Sequence, residues 1–456
     1  MQGMAADFGK IAVFWDKSFL WGLIAYRTFR DLGLDFDLLE AADIRAGRLA
    51  GHDLVFVPGG WASDKMRELG EEGAGAVRSF VAAGGGYLGF CGGAGLALSH
   101  DSGLGLARFG RLATRARVPS FSGLISLKQE AGGHPVWAGV ADGAEFHAWW
   151  PGQFAVSDDA DARVLATYGR PGAGAFVTDL PVDSRVDWDM WEEYYGINLD
   201  PERLLGEPAV METTYGQGRV ILSYLHFETP GDETGRKALL NSLAYLVGKE
   251  APAGISGGLS VPGPAAPAPA QASISPQVRA DSPAPPQAIS TQPRPEADAA
   301  GIARELTLAA AGLIDFGRRN FLWWDRNSWL LQWRRGVRGI EYSTIMAMFS
   351  EISTRTERLP EEPAAELTAK LARLRLLALP FLEEAAGLLL LERYAMGRGP
   401  LSPLKTRDPR IQELRERLFS TSKRCGGKYE EIVDLADEIL LPLLRRQLEE
   451  YQPRKQ

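Results

Sequence analysis

Three side chains of this sequence have the types needed for covalent acyl chemistry: Cys91, His226 and Glu228. Cys91 lies in the stretch Gly85-Gly86-Tyr87-Leu88-Gly89-Phe90-Cys91-Gly92-Gly93-Ala94-Gly95. The apolar run from Tyr87 to Phe90 reads as a short buried strand, and the small residues after Cys91 read as a helix. A strand that bends into a helix through G-x-C-x-G is the thiol form of a nucleophile elbow. Glycines two residues before and after the cysteine let strand and helix pack closely, and the residue at the apex is held in a strained backbone. The helix N-terminus then sits beneath the sulfur, where its partial positive charge favours thiolate over thiol. The plainer reading is a buried structural cysteine in a glycine-rich turn.

A thiol nucleophile needs a base, and that base needs an orienting carboxylate. The chain has five histidines. His52 sits just before an expected strand, away from the active edge, and His100 and His134 lie in turn-like contexts. His226 stands at the end of a strand with Glu228 two residues on. Alternate residues of an extended segment point the same way, so Glu228 can bond one ring nitrogen while the other faces Cys91. Taken alone, His-x-Glu is equally a solvated histidine beside a capping acid. With the cysteine elbow upstream, a Cys-His-Glu triad is the expectation.

The elements that must position these residues alternate. Lys10 to Trp15, Phe36 to Leu39, Asp53 to Val57 and the elbow strand read as strands, with helices over Ser18 to Leu32 and Ser63 to Ala83 between them. Such alternation predicts a parallel, doubly wound sheet with its site at the carboxyl ends of the strands. From about residue 105 the pattern turns to strand pieces with turns, over Gly123–Leu127, Arg163–Tyr168 and Ala173–Val177. Ala209 to Tyr215 and Arg219 to Tyr224 flank Gly216-Gln217-Gly218 as a hairpin. A helix over Asp232 to Val247 closes this half.

Three motifs in this order, Pro58-Gly59-Gly60, Gly89-Phe90-Cys91-Gly92-Gly93 and His226-Phe227-Glu228, resemble the class I glutamine amidotransferase-like superfamily. Gly86 to Ala94 and Tyr215 to Ser223 are most similar to the biotin-protein ligase N-terminal domain family, and the likeness spans residues 8–248. It implies a flavodoxin-like α/β/α sandwich with Cys91 as nucleophile, His226 as base and Glu228 as orienter. It further implies an oxyanion hole from backbone N–H groups near Gly60 and Gly92. Amidotransferases that hydrolyse glutamine usually carry Gln four residues after the cysteine, and Gly95 stands there instead. The ligase's catalytic half is missing: Gly216-Gln217-Gly218-Arg219 is a hairpin turn, and Gly397-Arg398-Gly399-Pro400 is the only other look-alike.

Around this core, Asp16 follows the first strand and could contact a ligand amine or cap the next helix. In the aromatic segment Phe146 to Gly152, His147 and Trp149 are candidates for lining a substrate, with core packing as the alternative. The acidic-aromatic run Asp187 to Tyr195 reads as an inserted loop covering the pocket. No metal site and no cofactor are expected.

Residues 251–300 carry 11 prolines and no aromatic residue, which predicts a disordered linker. It divides an amidotransferase-like domain, 1–250, from an α-helical bundle domain, 301–456. In the latter, helices are expected over Arg304 to Arg335, Glu341 to Arg358, Pro363 to Met396, Asp408 to Ser420 and Lys428 to Tyr451. Trp323, Trp324, Trp329 and Trp333, framed by Arg318-Arg319 and Arg334-Arg335, are read as bundle core plus solvated face. A docking surface for a partner protein comes next, with stacking on bases or seating at a membrane surface as further alternatives. Cys425 lacks a preceding strand and is read as non-catalytic.

With two cysteines, no secretory signal and no long uncharged apolar run, a cytoplasmic protein without a membrane span is expected. Net charge is −11 over residues 1–250 (22 Lys+Arg, 33 Asp+Glu), which argues against nucleic acid. The expected activity is that of a cysteine hydrolase or amidotransferase-like protein, not a biotin ligase. It would act on a C–N or acyl bond of a small-molecule or peptide-like substrate. The alternative is a non-catalytic ligand-sensing or scaffold protein whose helical domain docks a partner protein.

Overall fold

The computed structural model describes residues 8–99, 103–156, 161–248, 298–327, 329–359, 365–399, 401–402, 406, 408–420 and 426–451. The expected linker falls outside them save its last three residues, where Asp298 caps a helix that begins at Ala299. His100 and Cys425 also lie outside the described residues.

The first elements are β1 (Ile11–Phe14), α1 (Phe19–Asp31), β2 (Phe36–Leu39), α2 (Ala41–Arg45), β3 (Leu54–Val57), α3 (Ala62–Ala82), β4 (Gly86–Phe90) and α4 (Gly92–Ala97). Then come β5 (Gly110–Arg111), β6 (Phe121–Gln129), β7 (Glu145–Trp149), β8 (Phe154–Ala155), β9 (Ala162–Pro171), β10 (Phe176–Val177) and β11 (Leu180–Pro181). This half ends with α5 (Trp188–Tyr195), β12 (Pro208–Tyr215), β13 (Gly218–Ser223) and α6 (Glu233–Leu246). The main sheet is mixed. Its order is β11-β10-β6-β9-β12-β13-β4-β3-β1-β2, with β7 paired to β6. β2, β1, β3, β4 and β13 run parallel, and the rest join antiparallel. Strands β1, β3 and β4 are buried at every position, which is why they read as unbroken apolar runs.

The second half consists of α7 (Ala299–Arg319), β14 (Trp323–Asp325), β15 (Leu331–Trp333), α8 (Ile340–Thr356), α9 (Ala365–Met396), α10 (Pro409–Phe419) and α11 (Gly427–Tyr451). The expected single helix over Arg304 to Arg335 is thus wrong. α7 stops at Arg319, Phe321 takes a left-handed backbone (φ 56°), and a two-stranded hairpin follows. Asn327 closes it, its side-chain oxygen accepting from the Trp329 and Leu330 amides at 2.8 and 2.9 Å. The assignment of four tryptophans to a bundle core is corrected with it. Trp323, on β14, packs back on α7 and donates to the Ile314 carbonyl. Trp333 stacks on Trp150 of the first half at 4.6 Å, and Trp324 lies 5.3 Å from Phe176. The run Asp187 to Tyr195 is α5 rather than a loop, with Asp187 capping the Met190 amide. Arg335 lies over the rings of Tyr194 and Tyr195, tying α5 to the helical region.

The two halves share one buried core. Polar contacts fix their junction. Trp15 donates its indole N–H to Asp437 at 2.8 Å, and Lys17 pairs with Asp434 at 2.7 Å. Arg445 reaches the Leu38 carbonyl and the carboxylates of Glu40 and Asp43. At the other end of the junction, Ser122 donates to Gln332 at 2.5 Å.

The bend at β4–α4 leaves no room for side chains. A Cβ on Gly93 would stand 1.9 Å from the Val57 carbonyl oxygen, whereas one on Gly95 would meet only the Ala62 methyl, at 3.4 Å. Gly93→Ala is therefore expected to lower stability by about 3 kcal/mol, and Gly95→Ala to change it little. Urea midpoints of the two variants test this; equal midpoints would contradict it.

Candidate active site

Cys91 sits between β4 and α4 with φ 49° and ψ −105°, a strained conformation for a residue with a side chain. The strain is held by packing. A Cβ on Gly92 would stand 1.8 Å from the Gly60 carbonyl oxygen, so only glycine lets the two backbones meet. As the first residue of α4, Gly92 has an amide that no preceding helical turn can satisfy. Gly60 has φ 113°, also a glycine conformation.

β13 delivers the histidine. It pairs parallel with β4, Ser223 opposite Phe90, and the Cys91 amide donates to the Ser223 carbonyl at 2.8 Å. Three residues beyond Ser223, His226 is fully buried, its backbone amide bonded to the His147 carbonyl. Its Nδ1 lies 2.7 Å from Glu228 Oε1, and Glu228 is equally buried. Its Nε2 is buried with no hydrogen-bond partner among the described residues. Trp21 stacks on the ring at 4.4 Å, in space that Gly59 leaves free: a Cβ there would come within 2.7 Å of the indole. Burial works against the imidazolium, but the Glu228 carboxylate and the Cys91 sulfur outweigh it and push His226 up to about 10.

The weaker candidates have other partners. Asp16 does not cap α1, the next helix, as the alternative reading had it; it accepts from the Ala41 amide at the start of α2. Burial, ahead of that bond, raises its carboxyl. His147 bonds Asp232 at 2.7 Å and stacks on Trp149. Trp149 is buried, donates to Thr229 at 3.2 Å, and packs with Leu20, Trp21, Ile24 and Leu330. His52, just before the start of β3, bonds Asp37 and the Arg48 carbonyl at the opposite ends of the strands from Cys91, and His134 caps a short turn.

Sequence reasoning missed a second polar group at this edge. Lys65 is fully buried, donating to the Asp16 carbonyl at 3.1 Å and to the Ser18 hydroxyl. Its Cε would lie 3.3 Å from a Cβ on Gly60. Burial pulls its ammonium down to about 7, against the charges of Asp16, Asp437 and Cys91. Asp437, bonded to Trp15, is held well above the usual carboxylate range by burial. Lys65 stands just beyond the Gly59-Gly60 turn, a local hint. Asp437 lies on α11 and had no such signal. Among the described residues, no group of three or more His, Cys, Asp or Glu could hold a metal ion, and no helix is long and apolar enough to cross a membrane.

No protein-family model and no curated protein matches the chain. Among solved structures, it is similar to PurLQS from Thermotoga maritima at 17% identity and TM-score 0.35, over 52% of this chain and 98% of that one. A putative GMP synthase component from Thermoplasma acidophilum is similar at 19% identity and TM-score 0.32, over 52% and 94% of the two chains. A β-galactosidase from Bacillus circulans is similar at 15% identity and TM-score 0.34, over 54% and 32%.

The two shifted bases act in opposite directions on stability. His226 is raised from 6.5, so its contribution is present in full below pH 6.5 and is lost as pH rises towards about 10. Lys65 is lowered from 10.5, so its penalty is full below about pH 7 and is relieved as pH rises towards 10.5. Between pH 7 and 10, unfolding free energy is expected to fall with pH in Lys65→Met and to rise in His226→Gln, the wild type lying between. Denaturant titrations across that range test it; matching slopes in the two variants would rule it out.

Proposed function

We propose that the chain is a cysteine-nucleophile hydrolase or amidotransferase-like enzyme acting on a C–N or acyl bond. One observation carries this reading: a buried imidazole fixed by a carboxylate at 2.7 Å, its other nitrogen left unbonded beside a strained cysteine.

In the proposed reaction, His226 Nε2 takes the thiol proton, and an imidazolium beside the sulfur favours the thiolate. The thiolate attacks the substrate's carbonyl carbon, and the carbonyl electron pair moves onto oxygen. Backbone N–H groups at Gly60 and Gly92 receive that oxyanion. Collapse breaks the bond to the leaving nitrogen or oxygen, which takes the proton from His226 and leaves a thioester on Cys91. His226 then deprotonates water, which attacks the thioester and regenerates the thiol. Glu228 keeps the Nδ1 proton in place throughout. With Gly95 where glutamine-hydrolysing relatives carry Gln, an acyl group other than glutamine's is the better fit.

The fold reading behind this is a flavodoxin-like sandwich, supported by the parallel order β2-β1-β3-β4-β13. The finer likeness, to the biotin-protein ligase N-terminal domain, is supported by residues 86–94 and 215–223 alone. A ligand sensor on the same fold is the second reading. It is favoured by the reach of α11 and the β14–β15 hairpin to this edge, which would let a bound ligand be felt by the helical region.

Alkylation of Cys91 by iodoacetamide, followed on its own peptide, separates the two. His226→Ala is expected to slow the reaction at pH 6 about tenfold or more, with the rates converging above pH 9. On any amide or ester that the wild type turns over, Cys91→Ala abolishes turnover and His226→Ala lowers kcat about 10²–10⁴-fold. Identical alkylation profiles in wild type and His226→Ala would defeat the catalytic reading.

A further inference from the structure

Two arginines near Cys91 have no counter-ion among the described residues. Among the described residues, neither Arg111 nor Arg117 makes a side-chain hydrogen bond or an ion pair, although Arg117 is half-buried. Nearby, the Tyr224 hydroxyl is buried and has no hydrogen-bond partner among the described residues. Arg111 is exposed to solvent, but a half-buried guanidinium such as that of Arg117 ordinarily meets a carboxylate or a phosphate, and a buried hydroxyl ordinarily has a bond.

The backbone brings these groups together. Tyr224 follows Ser223 as Cys91 follows Phe90, and Ser223 and Phe90 are paired in a parallel ladder. The two side chains therefore leave the sheet at one level. The Tyr224 ring lies flat on Gly152, where a Cβ would come within 2.4 Å of it, and 4.2 Å from the ring of Phe154. Arg111 is paired with Phe154 across β5 and β8. The segment after Arg111 folds around Gln153: the Leu112 amide bonds its carbonyl at 3.0 Å and the Val118 amide its side chain at 2.9 Å. Arg117 is thereby held next to Gly152 and the tyrosine ring. The charges acting most strongly on Arg117 are those of Arg111, Tyr224, Cys91 and Tyr168, and no carboxylate is among them. Burial pushes the Tyr224 hydroxyl up, which keeps it a neutral donor.

We infer that Arg111, Arg117 and the Tyr224 hydroxyl form an anion-binding subsite beside Cys91, fitted to a carboxylate or phosphate group of the molecule bound there. That this anion lies close to the bond attacked rests on the function proposed above; the subsite itself does not.

The test compares alkylation of Cys91 by anionic iodoacetate and neutral iodoacetamide, read by mass spectrometry of the Cys91 peptide. The iodoacetate-to-iodoacetamide rate ratio, relative to that of glutathione, is expected to be raised about tenfold. Arg117→Gln returns it to the glutathione value, Arg111→Gln lowers it, and Tyr224→Phe, which keeps the ring packing, lowers it in part. Inorganic phosphate or acetate, against chloride at equal ionic strength, suppresses the preference; the one effective at lower concentration gives the class of the anion. A ratio equal to that of glutathione, one unchanged in both arginine variants, or one unaffected by either anion overturns the subsite. Calorimetric titration with the same two anions reads the subsite without the cysteine: saturable binding lost in Arg117→Gln supports it, and no binding of either overturns it. If Cys91 reacts with iodoacetamide only as glutathione does while the anion preference persists, the nucleophile reading fails and the subsite stands.

Discussion

The hydrogen bond from the Cys91 amide to the Ser223 carbonyl is the contact on which the site depends. It extends the parallel β4–β13 ladder one residue past the strands. Parallel neighbours in register leave a sheet at the same height, so this bond sets the sulfur level with the segment that carries His226. The remaining features act around it. Glycines at 92 and 93 let α4 begin against the β3 turn, where any Cβ would collide with backbone. The bend then stores strain at Cys91 instead of relaxing. Left-handed backbones at Lys17, Phe19 and Trp150 crowd the same edge, and each is a residue that prefers another conformation.

The helical region contributes to this edge. α11 places Asp437 against Trp15 and Asp434 against Lys17, so the segment after β1 is held from outside its own sheet. On the other flank, Trp333 covers Trp150, and Leu330 joins the cluster around Trp21, the residue stacked on His226. The histidine is thus dry partly because of residues more than a hundred positions downstream. Low local polarity strengthens its bond to Glu228 and makes its open nitrogen costly unless a proton partner is near.

Legibility in the sequence followed the range of the forces involved. The elbow, the strands β1 to β4 and the β12–β13 hairpin are local patterns of glycine and apolar residues, and they were readable. The pairing of His226 with Glu228 was also readable, but not by the extended geometry expected: β13 ends at Ser223, and the two residues meet in a turn in which the Thr229 amide bonds the His226 carbonyl at 3.1 Å. The β14–β15 hairpin was not read, since Trp-Trp and Leu-Leu-Gln-Trp also fit a helical stripe. Its signal was the turn-forming cluster Asp325-Arg326-Asn327-Ser328 between them. Lys65, Asp437, Arg117 and Tyr224 were invisible for another reason. Apart from the nearby Gly59-Gly60 turn before Lys65, nothing in their own neighbourhoods marks them; they matter through contacts made across the sheet and across the two halves.

The Trp15–Asp437 bond also has a temporal side. Its partners are 422 residues apart. At ribosomal rates of about 5–20 residues per second, about 20–85 seconds separate the emergence of the indole from that of its acceptor. During that interval Trp15 lacks its acceptor Asp437 and Lys17 its partner Asp434, since both lie on α11. The nascent α/β half therefore waits, incomplete at the place where its chemistry would occur, until translation reaches the final helix.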